Sequence, residues 1–436
     1  MKILKFGGTS VGSPERMKQV ANLIQGEENI VVLSAVSGTT NSLVAICSEL
    51  AAQNKKKATT LINKLYTEYE KFVINLFNSE EFITIGNDII TEHFNIIKST
   101  SKLNFSPKEE KIILAQGELL STKLFHSFLS EQKINSVLLP ALDFMRIDNY
   151  DEPALNNISK NLKTTLASHT KSNIYITQGY ICLNSNEDID NLKRGGSDYT
   201  ATIIGALLRA EEVQIWTDID GMHNNDPRIV KNTKPVHELT FDEAAELAYF
   251  GAKILHPSTV RPAKKFNIPV RILNTMAPDA QGTTISETAQ KNIIKAIAAK
   301  DNITAINILS SRMLLAHGFL RKVFEIFEKH KTSIDMVTTS EVAVSLTIDD
   351  ISNIDLISKD LEEYGKISID RHQTIICIVG DFLAEKPGVV LKAVEALKTI
   401  PIRMISYGGS ENNISLLVDT KYKSDALNAL SRNIFS

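Results

Sequence analysis

Five stretches of the chain set cations, carboxylates and hydroxyls beside glycines, the residue types that gather around an anionic ligand. In Lys5-Phe6-Gly7-Gly8-Thr9-Ser10, the apolar residues Ile3, Leu4 and Phe6 read as a short buried strand that stops where the glycines begin. Adjacent glycines can turn successive N–H groups toward one point and let a ligand approach the backbone. Ser13-Pro14-Glu15 then reads as a helix start, Ser13 the N-cap and Pro14 the first helical residue, so a helix N-terminus also faces the glycines. Phosphate suits such a nest; a tight strand-to-helix turn with a surface lysine uses the same residues for structure alone.

The other four lie where strands should end, the edge at which open α/β sheets hold ligands. Ser34 closes the run "VVLS", and Gly38, Thr39 and Thr40 lead into a helix expected near Asn41, with Thr40 facing a ligand or capping. Gln116-Gly117-Glu118 falls inside a helical pattern, where glycine costs about 1 kcal/mol against alanine, so close packing or a ligand is being accommodated. Glu118 alone reads also as a surface carboxylate. In "KRGGSDYTA", Arg194 can hold a carboxylate through two parallel hydrogen bonds and Asp198 can accept from an ammonium, which suits an α-amino acid; Ser197 and Asp198 as plain helix caps is the simpler alternative. Finally Thr217, Asp218, Asp220, Gly221 and Asp226-Pro227-Arg228, with Lys253 nearby, could grip a nucleotide's ribose and polyphosphate, or form an acidic loop with incidental ion pairs.

Elements must position these groups. From Met1 to about Thr284, short β-rich runs alternate with longer helical ones, the pattern of an α/β domain on a largely parallel sheet. Apolar residues at three-to-four spacing predict a helical subdomain over about 55–130, entered through a solvated loop at Lys55 to Lys57. The tail carries an internal repeat at an offset of 70 residues: Gly318 matches Gly388, Lys322 matches Lys392, and Ser340-Glu341 matches Ser410-Glu411. In the first copy, strands are expected at Ala305 to Leu309, Ile334 to Thr338 and Val342 to Ile348, with a helix from Phe319 to His330. Two such modules can pair edge to edge and hold a small ligand, or serve only as a dimerisation tail.

Composition narrows the partners. With 436 residues, 48 basic against 51 acidic and a formal charge of −3, the chain has no global electrostatic reason to bind nucleic acid or an anionic membrane. Cys47, Cys182 and Cys377 are odd in number and far apart, which suggests neither disulfides nor a zinc site and fits a cytoplasmic protein. Lys2 and Lys5 bracket only two apolar residues, so no signal-peptide core is expected, and no apolar run approaches the roughly 20 residues of a membrane helix.

Taken in order, "KFGGTSVG", "RGGSDYTA", "WTD" followed by "DPR", and "GAKILHP" resemble the motifs of the aspartate kinases (aspartokinases) of the amino-acid kinase family, and the tail resembles their paired ACT modules. The resemblance covers nearly the whole chain. It implies an amino-acid kinase fold, a mostly parallel sheet sandwiched by helices, over 1–285, then two ferredoxin-like βαββαβ ACT modules at 300–370 and 371–436. It implies transfer of the γ-phosphoryl of ATP, with Mg²⁺ bound through the ATP phosphates and no dedicated metal ligands, to the side-chain carboxylate of L-aspartate. The product is 4-phospho-L-aspartate, on the way to lysine, threonine and methionine. A carboxylate of pKa about 4 is already ionised at neutral pH, so the chemistry needs charge cancellation and alignment rather than a general base.

By the same resemblance, Lys5, Asp198 and Arg194 are catalytic, and Ser34, Thr40, Glu118, Arg194 and Asp198 bind L-aspartate, Arg194 at its α-carboxylate and Glu118 with Asp198 at its α-ammonium. Lys5, Gly7, Gly8, Ser10, Thr217, Asp218, His223, Arg228 and Lys253 face ATP. The first module is similar to the lysine-sensing ACT module of lysine-inhibited members, with Met313, Gly318, Phe319, Leu320, Ser333, Ile334, Asp335, Thr339, Ser340 and Glu341 at the matching positions. Asp335 and Glu341 would take the ammonium groups of L-lysine as inhibitor, and ACT pairing would give a homodimer or homotetramer. The chain departs from the pattern at His223, where a tyrosine is usual, at Lys193, at "DNL" ahead of the Arg-Gly-Gly turn, and at Ala316, where lysine-sensitive members often carry serine. These departures bear on nucleotide affinity, hairpin shape and inhibitor strength.

Overall fold

The computed structural model describes residues 1–169, 172–192, 195–251, 255–289, 294–310, 317–381 and 387–435; Lys193, Arg194, Lys253, Met313 and Ala316 lie outside them. The chain divides into two compact units, Met1–Met222 with Leu255–Thr288, and His223–Ile254 with Ala289–Ser436. The expected span 1–285 is therefore interrupted. Residues 223–254 group with the tail because their side chains are anchored there: Val230 joins the tail's apolar core and Asn225 donates to the Leu427 carbonyl (3.2 Å).

In the first unit, seven strands lie side by side in the order Thr283–Ile285, Val270–Asn274, Val213–Thr217, Lys2–Phe6, Asn29–Leu33, Ile174–Gln178, Val137–Leu139. All pairs are parallel except Thr283–Ile285 against Val270–Asn274. From Lys2–Phe6 the chain pairs first on one side with Asn29–Leu33 and later on the other with Val213–Thr217, which makes the C-terminal end of the first strand a topological switch point. Side chains alternate along that strand. Leu4 and Phe6 join a core shared with the helices Pro14–Leu23, Thr39–Ala51, Lys55–Leu76, Glu80–Thr100 and Pro107–Glu131. Ile3 and Lys5 face the other way, toward the helix Gly196–Leu208, where a Cβ on Gly205 would lie 3.5 Å from Ile3.

Local chemistry explains the helix ends. Ser13 caps Pro14–Leu23 by accepting from the Arg16 N–H, with Pro14 first in the helix, as expected. Lys55–Leu76 buries Ala58, Ile62, Leu65, Tyr69, Val73 and Leu76, one stripe at three-to-four spacing, against its helical neighbours. The expected loop at Lys55 to Lys57 is instead its first turn; Lys57 offsets the unfavourable cation at a helix N-terminus by pairing with Glu49 (2.5 Å). None of the described helices is long and apolar enough to cross a membrane.

In the second unit, six strands form one antiparallel sheet in the order Val337–Thr339, Ala343–Ile348, Ile294–Leu309, Lys366–Gly380, Asn413–Asp419, Met404–Tyr407. The two long central strands serve both repeats, their register shifting between Lys300 and Ala305. One half reads βαββαβ from Ile303 to Gln373, with helices Phe319–Lys329 and Ile354–Leu361 over a core of Ile306, Val323, Phe327, Leu346 and Leu361. The other half has helices Val389–Ala396 and Lys423–Ile434, but its last strand is Ile294–Lys300, taken from upstream. The first repeat is thus inserted within the second, and the expected boundary at 300 cuts a continuous strand. The second strand of the first repeat forms at Val337–Thr339, later than expected, because Asp335 and Met336 already bond Thr347. Gly318 and Gly388 both cap their helices at φ +81° with open space around the missing Cβ, so the left-handed backbone alone selects glycine.

The helix Phe241–Tyr249 opens with a full capping box, Thr240 accepting from the Glu243 N–H and the Glu243 carboxylate accepting from the Thr240 N–H. Replacing Thr240 by alanine removes a cap of about 1 kcal/mol. Hydrogen exchange of the amides in Phe241–Tyr249 is expected to speed up about fivefold, with exchange in the Pro107–Glu131 helix unchanged.

Candidate active site

At the switch point, strand ends and helix starts of the first unit enclose a cavity of about 1100 Å³ whose lining includes Lys5, Gly8, Ser34, Thr40, Glu118 and Asp198. Each arrives for a local reason. Lys5 leaves the first strand on the face that the Gly196–Leu208 helix covers, and its ammonium lies 2.6 Å from the Asp198 carboxylate, both side chains only 11–13% exposed. Asp198 is free for this because the helix is capped by Gly195 at φ +75° with no side-chain bond, which disposes of the capping alternative. Likewise Thr39–Ala51 is capped by Gly38 (φ +84°), starts ahead of the expected Asn41, and leaves Thr40 exposed at the cavity while Thr39 is buried on the Tyr69 hydroxyl (2.8 Å).

Glu118 is a buried carboxylate, not a surface one. Its Oε1 accepts from the Ala35 N–H (3.3 Å), and its Oε2 has no hydrogen-bond partner among the described residues. Burial pushes its pKa up to about 7, opposed by the Ala35 N–H. The mid-helix Gly117 next to it is explained by close approach: a Cβ there would lie 2.9 Å from the Ala35 Cβ and 3.4 Å from Leu43. Gly8 is crowded by the same loop, with the Ala35 carbonyl 3.0 Å from where its Cβ would be.

The glycine turn after the first strand is less of a nest than expected. Gly7 donates its N–H to the Trp216 carbonyl and Ser10 donates to the Gly7 carbonyl, which leaves the N–H groups of Gly8 and Thr9 without a partner among the described residues, while the Thr9 carbonyl accepts from Gly12 (3.3 Å) and Arg16 (2.9 Å). The Ser10 hydroxyl does not face the cavity. It is fully buried, 2.7 Å from the Thr275 hydroxyl and 3.3 Å from the Trp216 carbonyl, fastening the turn to the neighbouring strands. Thr217 and Asp218 sit one strand over, just past the Phe6 and Trp216 pairing, hydrogen-bonded to each other (3.2 Å). His223 and Arg228 belong to the second unit; His223 contacts the Thr233 hydroxyl (2.9 Å), and Arg228 is held on Asp226 through Nε (2.9 Å) and Nη2 (2.8 Å).

In the second unit, Gly318 caps its helix, Phe319 is buried, and Leu320, Ser333, Thr339, Ser340 and Glu341 are exposed, with Ile334 half-buried. Asp335, expected to receive an ammonium ligand, is engaged within the protein: Lys300 Nζ lies 2.7 Å and the Tyr249 hydroxyl 2.8 Å from its Oδ1.

Residues 1–274 match the model of the amino acid kinase family, and residues 376–434 match an ACT domain. The chain is 32% identical to lysine-sensitive aspartokinase 3 of Escherichia coli K12 over 99% of both sequences, and 34% identical to chloroplastic aspartokinase 3 of Arabidopsis thaliana over 99% of this chain and 81% of that one. The chain belongs to the aspartokinases of the amino acid kinase family. Among solved structures, E. coli aspartokinase III in complex with aspartate and ADP (R-state) is similar with a TM-score of 0.88 at 30% identity, and its complex with lysine and aspartate (T-state) with 0.79 at 29%, each over 100% of both chains.

In this aspartokinase, several cavity residues carry no signal in the sequence. Arg261, on the helix Pro257–Phe266, and Tyr180 line the cavity because tertiary packing brings them there. The "DNL" departure is accommodated by the hairpin Ile181–Leu183 with Ile189–Asn191, which Lys111 fastens to the Pro107–Glu131 helix through Asp190 (2.5 Å) and Asn191 (3.0 Å). A lysine four residues ahead of Ala115 in a helix gave no hint of that. The Glu118 carboxyl, raised from about 4.5 to about 7 by folding, contributes stability while protonated, and that contribution is lost as pH rises from about 4.5 through 7. Without ligands, Glu118→Gln is expected to be more stable than the parent at pH 8, by on the order of 3 kcal/mol, and to lose that advantage near pH 4.5, as read from chemical unfolding at the two pH values.

Proposed function

We infer that this chain transfers the γ-phosphoryl of ATP to the side-chain carboxylate of L-aspartate, giving 4-phospho-L-aspartate and ADP, the first step toward lysine, threonine and methionine. The observation that carries the reading is the meeting of Lys5, Asp198 and a half-satisfied Glu118 in one cavity at the switch point. That arrangement supplies what the reaction needs. The nucleophile is already ionised, so the barrier lies in bringing one anion against another and keeping them in line.

Lys5 is the group that cancels charge on the transferring phosphoryl. Asp198 holds its ammonium in place beforehand, so no reorganisation is required when charge moves. The N–H groups of Gly8 and Thr9 fit phosphate oxygens, and Thr217, Asp218, His223, Arg228 and Lys253 are assigned to the nucleotide by the family's motifs alone. Glu118 Oε2, with no partner of its own, suits the α-ammonium of aspartate; Arg194 would take the α-carboxylate, with Ser34 and Thr40 beside the reacting one. Mg²⁺ would enter on the ATP phosphates and offset their charge. L-Lysine is read as the feedback inhibitor, sensed by the first ACT repeat through Gly318 to Leu320, Ser333 to Asp335 and Thr339 to Glu341, in a cytoplasmic homodimer or homotetramer joined through these repeats.

Acyl phosphate formed with MgATP and trapped by hydroxylamine tests both parts. Product is expected with L-aspartate, not with L-glutamate or N-acetyl-L-glutamate, and suppressed by L-lysine. Product with another acid would move the substrate; ligand binding without product would make the chain a sensor. Lys5→Ala should lower kcat by about 10²- to 10³-fold, the usual cost of removing a charge-stabilising donor, with the fold retained and the unfolding midpoint lowered because Asp198 is left unpaired.

A further inference from the structure

The carboxylate that the effector reading assigns to an incoming ammonium is not open to solvent. The Asp335 side chain is 1% exposed, and its Oδ1 is taken by Lys300 and Tyr249, while its Oδ2 has no hydrogen-bond partner among the described residues. Lys300 also reaches Asp349 (3.0 Å) and lies 4.6 Å from the centre of the Tyr249 ring, so ammonium, ring and carboxylate form one unit. The backbone beneath is fixed: Asp335 N–H donates to the Thr347 carbonyl, and Met336 N–H to the Thr347 hydroxyl. Only the side-chain partners of Asp335 can change.

Lys300 offers Asp335 the same chemical group that a free lysine would bring. Exchanging one ammonium for another on a carboxylate leaves the electrostatics nearly balanced, so the remaining contacts of the ligand can decide the exchange. The second partner, Tyr249, links the carboxylate to the rest of the chain. It ends the Phe241–Tyr249 helix, whose Glu246 receives Ser410 (2.8 Å) and Asn413 (2.6 Å) from the other repeat, Ser410 being the counterpart of Ser340. Just beyond Tyr249, Gly251 (φ +117°) packs so tightly that a Cβ would lie 2.2 Å from the Ala299 carbonyl, adjacent to Lys300. The helix lies in the chain between Arg228 and Lys253, both assigned to the nucleotide.

We propose that Tyr249 and Lys300 are positioning residues that hold Asp335 closed in the uninhibited protein, and that an effector ammonium acts by taking Asp335 from them and so releasing the Phe241–Tyr249 helix. This rests on L-lysine being the effector. A bond present only in the uninhibited state opposes binding, so its removal must favour the ligand, and inhibition and binding must shift by the same factor.

The test uses the full chain with Tyr249→Phe, measuring L-lysine binding by equilibrium dialysis, lysine inhibition of acyl phosphate formation, and kcat and KM without lysine. Both the dissociation constant and the half-inhibitory concentration should fall about tenfold, the scale of one lost hydrogen bond to a charged group, with kcat and KM without lysine little changed because Lys300 still holds Asp335 and still packs on the ring. A merely structural role would move the unfolding midpoint or KM and leave lysine affinity alone. Lys300→Met is the second variant, with the same direction expected. Unchanged or weaker lysine binding in both variants, while the parent binds and is inhibited, overturns the proposal alone. A parent that neither binds lysine nor responds to it overturns the effector reading and the proposal together.

Discussion

The Lys5 and Asp198 ion pair is the contact on which the first unit's design turns. An ion pair this little exposed recovers its desolvation cost poorly, and a tighter apolar pair in its place would often be as stable. Its value is positional. It brings a strand end and a helix start from distant parts of the sequence to one point and holds an ammonium where phosphoryl charge would develop. The sheet makes this possible by register: residue 5 must point to the face that carries the Gly196–Leu208 helix, and Leu4 and Phe6 into the opposite core.

Close backbone approach is the second constraint. The loop after Asn29–Leu33 is pressed from three sides by residues that lack a Cβ: Gly8 and Gly117 against Ala35, and Gly12 against Ser37, where a Cβ would come within 2.9 Å. Across the cavity, Gly179 and Gly196 clear space for Ser197 and Tyr180. These glycines let Ser34, Thr40, Glu118 and Asp198 surround one volume instead of several. The accompanying tension is electrostatic, since Glu118 is buried with the Ala35 N–H donating to one of its oxygens and nothing among the described residues bonding the other.

The second unit solves a different problem, that of making two small modules behave as one. Two long strands shared by both repeats leave no flexible linker between them, and the Phe241–Tyr249 helix bonds to each repeat by a polar contact at its last turn. A change at Asp335 is therefore not local, because its partners lie on that helix and on a shared strand.

By itself the sequence determined whatever is encoded within a few residues: the Ser13 and Pro14 helix start, the apolar stripe of Lys55–Leu76, the glycine caps at 318 and 388 that repeat at a fixed offset, and the ordered motifs that mark an aspartokinase. These follow from backbone geometry and side-chain period, which act locally. Tertiary structure alone decided which way the polar groups point. Ser10 turns inward to its neighbouring strands, Glu118 is buried rather than exposed, Asp335 is already held, Arg261 and Lys111 take part without a motif, and the strand Ile294–Lys300 completes a repeat that follows it by many residues. Each depends on a contact between segments far apart in the chain, and no local pattern of residue types specifies such a contact before the core has formed.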